Sequence, residues 1–255
     1  MASALDLLHR VAPPPDETTP YGPLADQVYD LRRPRSGVRN VTVVIVHGGF
    51  WRPATDRTHA GPQAEALAEA GFHVVVVEYR RVERGGWPQL RDDLLTALET
   101  VAARDDLPSD TVLVGHSAGG HLVTWLAAQQ APEARAVLAA VSLAGCVDLH
   151  RVFALDLGKG AAQALMGSTP EEDPQAWAAA DPALLGTPRI PVVAIHGDRD
   201  EVVPVDISRM YVAAAAGTTS ITCSGADHFD LIDPQAPAFR IVLDTIIELA
   251  GDPTA

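Results

Sequence analysis

A mostly parallel, doubly wound α/β sheet is the fold class that this sequence predicts, and three observations predict it. Short β-branched runs recur along the chain, segments of helical period separate them, and 255 residues with 47% apolar composition supply enough core for a single unit of this kind. Strands buried on both faces read as continuous aliphatic runs, whereas strands covered on one face alternate.

Residues 1–20 open with a short apolar patch at Leu5 to Leu8, followed by Pro13, Pro14, Pro15, Pro20 and acidic residues. This reads as a peripheral N-terminal tail. It lacks the basic segment and long apolar core of a secretion signal. Residues 21–255 read as one domain. Within it, 27–31 alternates like a half-exposed strand, and 41–46, 74–77, 111–114, 137–143 and 192–195 are β-branched runs suited to central strands. Leu90, Leu94, Leu98 and Val101 share one helical face, as do Phe239, Val242, Leu243, Ile246 and Leu249 near the C-terminus. Residues 220–223 form a further short strand. The stretch from about 148 to 188 breaks the rhythm with Gly, Pro and small residues, with short helical candidates only at 161–166 and 175–179, and reads as a cap inserted between two strands.

Nineteen basic against 33 acidic residues give a net charge of −14, which repels nucleic-acid backbones and anionic membrane surfaces. The aliphatic runs fall far short of the roughly 18 residues that a membrane span needs. Neither nucleic acid nor membrane is therefore expected as a partner, and the expected location is the cytoplasm. A homodimer is compatible with the sequence. Lys159 is the sole lysine, which reflects an arginine-rich composition. Cys146 and Cys223 lie far apart without a CxxC spacing, so two reduced, buried thiols are expected.

The chemistry concentrates at strand ends, where ligands bind in open α/β sheets. After the strand at 111–114 comes Gly115-His116-Ser117-Ala118-Gly119, and then a helix-compatible run. GxSxG in a strand–turn–helix setting puts a serine on a tight turn, with its Oγ exposed and a helix N-terminus beneath any oxyanion. The strand at 41–46 runs into His47-Gly48-Gly49-Phe50-Trp51, where two residues without side chains let backbone amides approach a carbonyl. Gly48, Gly49, Phe50 and Ala118 are the oxyanion-hole candidates, and His47 reads as a buried histidine shaping the loop.

A serine needs a base oriented by an acid. The strand at 192–195 ends in His196-Gly197-Asp198-Arg199-Asp200, giving Asp200 as candidate acid with Asp198 as its rival. The base candidate is His228 in Asp227-His228-Phe229-Asp230, which completes the chain order Ser, Asp, His. His116 and His121 read as local packing or hydrogen-bonding groups, and His196 as a brace for its loop. With no HExxH, EF-hand, P-loop or GxGxxG pattern, no metal or other cofactor is called for.

These four separated elements resemble the α/β-hydrolase family over about residues 21–250. The resemblance implies Ser117 as nucleophile, Asp200 and His228 as its partners, and oxyanion amides near Gly49 and at Ala118. The HGGFW loop, Tyr79-Arg80-Arg81, GHSAGGHL at 115–122 and His228-Phe229-Asp230 further resemble small HGGxW esterases and kynurenine formamidases. That likeness implies hydrolysis of a small carboxylic ester or an aryl formamide through an acyl-enzyme, with Trp51, Trp87 and Phe229 as pocket walls and no cofactor. The competing readings are a non-hydrolytic small-ligand binding protein and an acyltransferase or perhydrolase on the same fold.

Overall fold

A computed structural model describes residues 10–129 and 137–251. Among these residues eight strands form one sheet: β1 (Glu17–Pro20), β2 (Val28–Arg32), β3 (Thr42–Val46), β4 (His73–Val77), β5 (Thr111–His116), β6 (Val137–Leu143), β7 (Val192–Gly197) and β8 (Thr218–Cys223). Their order is β1-β2-β4-β3-β5-β6-β7-β8. β2 runs antiparallel to β1 and β4, and every later pairing is parallel. The carboxyl ends of β3, β5, β7 and β8 therefore share one edge, where the sequence places its candidate residues.

The described helices are α1 (Gly61–Glu69), α2 (Trp87–Ala102), α3 (Ala118–Ala128), α4 (Leu149–Ala154), α5 (Ala161–Met166), α6 (Pro174–Ala180), α7 (Val205–Ala214) and α8 (Pro237–Leu249). Val44 and Val46 of β3 pack into a core with Leu94 of α2 and Leu122 of α3, while Val43 and Ile45 pack into another with Leu67 of α1 and Phe239 and Val242 of α8. Alternate residues of one strand thus enter opposite cores. This two-sided burial is why the central strands read as unbroken aliphatic runs.

Three expectations need correction. Strand β2 is not half-exposed, because its polar residues are buried with partners: Asp30 faces Arg57 at 2.9 Å, and Arg32 faces Glu65 at 2.8 Å and donates to the carbonyls of Pro13 and Pro14. The N-terminal arm is not wholly peripheral either, since Glu17–Pro20 pairs with β2 as an edge strand. The cap holds more helix than its composition suggests, because carboxylates cap its short helices. Asp148 accepts from the Arg151 amide at the start of α4, and Asp173 from the Ala176 amide at the start of α6. Two hydrogen bonds pin this segment to α3: His121 Nε2 to the Ala180 carbonyl at 2.8 Å, and Trp125 Nε1 to the Ala179 carbonyl at 2.9 Å.

Candidate active site

Ser117 sits between β5 and α3 with φ 55° and ψ −115°, a conformation sparsely populated by residues that carry a Cβ. The two glycines of the motif permit the turn. A Cβ on Gly115 would lie 2.1 Å from the Gly119 carbonyl oxygen, and one on Gly119 would lie 1.9 Å from that of Val46. The Ser117 amide donates to the Leu143 carbonyl at 2.8 Å, and the Ser117 carbonyl accepts from the Cys146 amide at 3.1 Å. The buried Cys146 thiol is pushed up to about 12 by desolvation, opposed by its contact with the Ser117 side chain, so it stays a neutral neighbour.

His228 follows β8, and its Nδ1 donates to Asp200 Oδ2 at 2.7 Å. The loop after β7 fixes Asp200 from its other side, because Oδ1 accepts from the amides of Val202 and Val203, both at 2.8 Å. Burial alone would raise this carboxyl, but hydrogen bonds from His196, His228 and the Val203 amide hold it far below the usual carboxylate range. The rival, Asp198, is exposed and accepts from the Gly225 amide at 2.6 Å instead.

Two histidines outside the expected trio reach into it. His116 Nε2 donates to the carbonyl of His228 at 2.9 Å, and burial keeps its ring neutral. His196 Nε2 donates to the Val203 carbonyl at 2.9 Å and faces Asp200 Oδ2 at 3.1 Å, while its Nδ1 accepts from Ser208 Oγ at 2.7 Å. The i, i+4 spacing of His196 and Asp200 and the histidine inside GxSxG were the available signals. Neither says what the ring touches.

Ser117, His116, His228, Phe229, Gly49 and Phe50 line a common cavity of about 350 Å³ at the strand edge. Gly48 lies behind it, because a Cβ there would come within 3.1 Å of the Ser117 Cβ. Gly49, Phe50 and Trp51 all have positive φ, so the HGGFW loop turns sharply against the serine. The amides of Gly49, Phe50 and Ala118 have no hydrogen-bond acceptor among the described residues; Gly49 and Phe50 line the cavity, whereas Ala118 is buried beside Ser117. His47 is buried, with Nε2 2.9 Å from Glu78 Oε1 and its carbonyl accepting from Tyr79 Oη at 2.8 Å.

Trp51 and Trp87, expected as pocket walls, belong to the core. The left-handed turn at Trp51 directs its ring inward against His121 at 5.3 Å, and Trp87 packs on His121 and on Trp125 at 5.1 Å. In their place, Arg52, Thr55, His59 and Lys159 line the cavity, and no motif announced them. A second cavity, of about 430 Å³ beneath the N-terminal arm near Arg10, Pro13 and Arg57, contains none of the candidate residues. Among the described residues no group of His, Cys, Asp and Glu is placed to hold a metal ion. Nor is any described helix long and apolar enough to cross a membrane.

The BD-FAE family matches residues 29–214, a span that runs from β2 through α7 and contains Ser117 and Asp200. The chain belongs to the BD-FAE family. Esterase LipQ of Mycobacterium tuberculosis is 29% identical over 233 residues, covering 82% of this chain and 54% of LipQ, so the chain spans about half of that relative's length. Kynurenine formamidase of Danio rerio is 31% identical over 104 residues, which is 40% of this chain and 35% of that protein. A truncated carbohydrate esterase from gut microbiota superposes with a TM-score of 0.75 at 22% identity, covering 92% of this chain and 96% of the other. The fold is the α/β-hydrolase fold, as its strand order and strained serine turn had indicated.

Proposed function

We propose that this BD-FAE member is a serine hydrolase that cleaves small carboxylic esters through an acyl-enzyme on Ser117. One observation carries the reading: a serine on a strained turn shares a cavity with a histidine whose Nδ1 is held by a buried carboxylate at 2.7 Å. The likeness to LipQ supports the same reading.

In this mechanism Ser117 Oγ attacks the substrate carbonyl carbon while His228 Nε2 takes the hydroxyl proton. Asp200 keeps the His228 proton on Nδ1, which leaves Nε2 free to accept, and it then stabilises the imidazolium. The carbonyl oxygen, now an oxyanion, accepts from the amides of the Gly49–Phe50 turn and of Ala118, where α3 also presents its positive end. His228 passes the proton to the departing alcohol, the carbon–oxygen bond breaks, and the acyl group stays on Ser117. Water, deprotonated by His228, attacks the acyl carbon; the bond from that carbon to Ser117 Oγ breaks, His228 returns the proton to Oγ, and the carboxylic acid leaves. No cofactor takes part.

An aryl formamide is the second substrate reading, favoured by the local match to kynurenine formamidase. Initial rates of wild type and Ser117→Ala on phenyl acetate and N-formyl-L-kynurenine test both. The ester reading expects turnover of phenyl acetate that is lost in the variant. Selective turnover of the formamide would move the assignment to an amidase, and unchanged turnover in the variant would remove Ser117 from the chemistry.

A further inference from the structure

We infer that the substrate cleaved at Ser117 carries a carboxylate, bound at the mouth of the catalytic cavity by Arg52 and Lys159. This rests on the hydrolase reading above and names the substrate class for it.

The charge of the cavity runs against that of the chain. With 33 acidic and 19 basic residues, the protein is negative on average, yet Arg52 and Lys159 line the cavity and no Asp or Glu does. Many arginines elsewhere face carboxylates, as Arg32 does Glu65, Arg80 does Asp93 and Arg104 does Glu17, although Arg39, Arg151, Arg189 and Arg199 have no such ion pair among the described residues. Neither Arg52 nor Lys159 has a carboxylate partner among the described residues. Asp156, three residues before Lys159, engages the Gly160 amide at 2.7 Å instead.

The two residues are also joined through the backbone of the cap loop. Arg52 Nη2 donates to the backbone carbonyl of Lys159 at 2.6 Å, which fixes the guanidinium on the cap loop. Gly158, Lys159 and Gly160 all have positive φ, at 63°, 54° and 76°, and a Cβ on Gly158 would strike the Phe50 ring at 2.7 Å. The loop is thus seated on the HGGFW turn in a conformation that a lysine seldom adopts. Two cationic side chains lining one cavity attract an anion that enters it. Glu201, Asp227 and Asp230 line a neighbouring groove with Arg199 that meets the cavity at Val202, His228 and Phe229, and Asp200 lies behind His228. A substrate with one anionic end is therefore drawn with that end toward the cap loop. A wholly neutral ester would leave both cations without an anionic partner among the described residues. Because the charge lies away from the reacting carbonyl, it is bound alike in the ground and transition states, and its effect falls on KM.

The test compares charged and neutral esters of matched shape. 4-Acetoxybenzoate against phenyl acetate puts the charge on the alcohol half, and 4-nitrophenyl hydrogen adipate against 4-nitrophenyl hexanoate puts it on the acyl half. With each rate divided by that of hydroxide hydrolysis, the charged member of one pair should exceed its neutral partner by about tenfold in kcat/KM, mainly through KM. That ratio should fall toward one in Arg52→Gln/Lys159→Gln, and in wild type at about 0.5 M KCl, a condition that needs no variant. Calorimetric binding of the same pairs to Ser117→Ala separates the two readings. Absent turnover with preferential binding of the charged ester would overturn the hydrolase assignment and keep the anion site. Ratios at or below one in both pairs, or a preference unchanged by the double substitution and by salt, would overturn the anion site.

Discussion

His228 Nδ1 and Asp200 Oδ2 lie 2.7 Å apart, and the second carboxylate oxygen of Asp200 is already committed to the amides of Val202 and Val203. This division of labour makes the acid sensitive to its chemical identity rather than to its shape. In Asp200→Asn the amide oxygen keeps the two backbone donors, so the NH2 group must face His228. The ring then turns Nδ1 into an acceptor and moves its proton to Nε2, where it blocks transfer from Ser117. We expect kcat to fall by about 10⁴ with the fold retained, as for a wrong-tautomer triad. Asp198→Asn, at an exposed position, should leave kcat within about twofold. Steady-state kinetics of the two variants provide the check, and equal losses would contradict the assignment.

Buried histidines make stability depend on pH. Burial lowers His59 and His121 to about 4 and holds His116 well below its ordinary value, so these rings are neutral in the folded protein at neutral and mildly acidic pH. In the unfolded chain they protonate near 6.5. The unfolded state thus binds more protons between about pH 6.5 and pH 4, and stability must fall as pH drops through that window. Each such histidine contributes a slope of up to about 1.4 kcal/mol per pH unit. The carboxylates with lowered values lose stabilisation in the same direction as pH falls, mostly below this window, and the raised Asp148 opposes it as a single group. Urea unfolding at pH 7, 6 and 5 should give steadily decreasing free energies, and a flat profile would contradict the neutral, buried state.

Trp51 and Phe229 separate packing from binding. Trp51 is fully buried against His121, so Trp51→Ala should cost about 3–5 kcal/mol of stability. Phe229 is only partly buried and lines the cavity, so Phe229→Ala should change KM with a much smaller loss of stability. Denaturant midpoints and kinetics on the same preparations test this, and a reversal of the two effects would return Trp51 to the pocket wall.

The central strands and the serine turn were legible because their signals are local. Val43 to Val46 are aliphatic because both faces of β3 are covered, and Gly115 and Gly119 are glycine because a Cβ has no room there. Residues 27–31 misled because the polar Asp30 is buried against Arg57, a partner from another part of the chain of which spacing carries no record. The choice between Asp198 and Asp200 was likewise open in the sequence, since it depends on which side chain the loop after β7 turns inward. Trp51 left the pocket because its backbone adopts a left-handed turn that the preceding glycines do not reveal. Arg52 and Lys159 meet only through the fold of the cap, 107 residues apart.

Ser117 Oγ is the proposed carrier of the acyl group. Intact-mass and peptide analysis after treatment with a fluorophosphonate measures this directly, since such reagents phosphonylate a serine made nucleophilic by its histidine. One adduct per chain is expected, located on the peptide containing Ser117, absent in Ser117→Ala and strongly slowed in Asp200→Asn. An adduct on another residue, or equal labelling of Ser117→Ala, would contradict it.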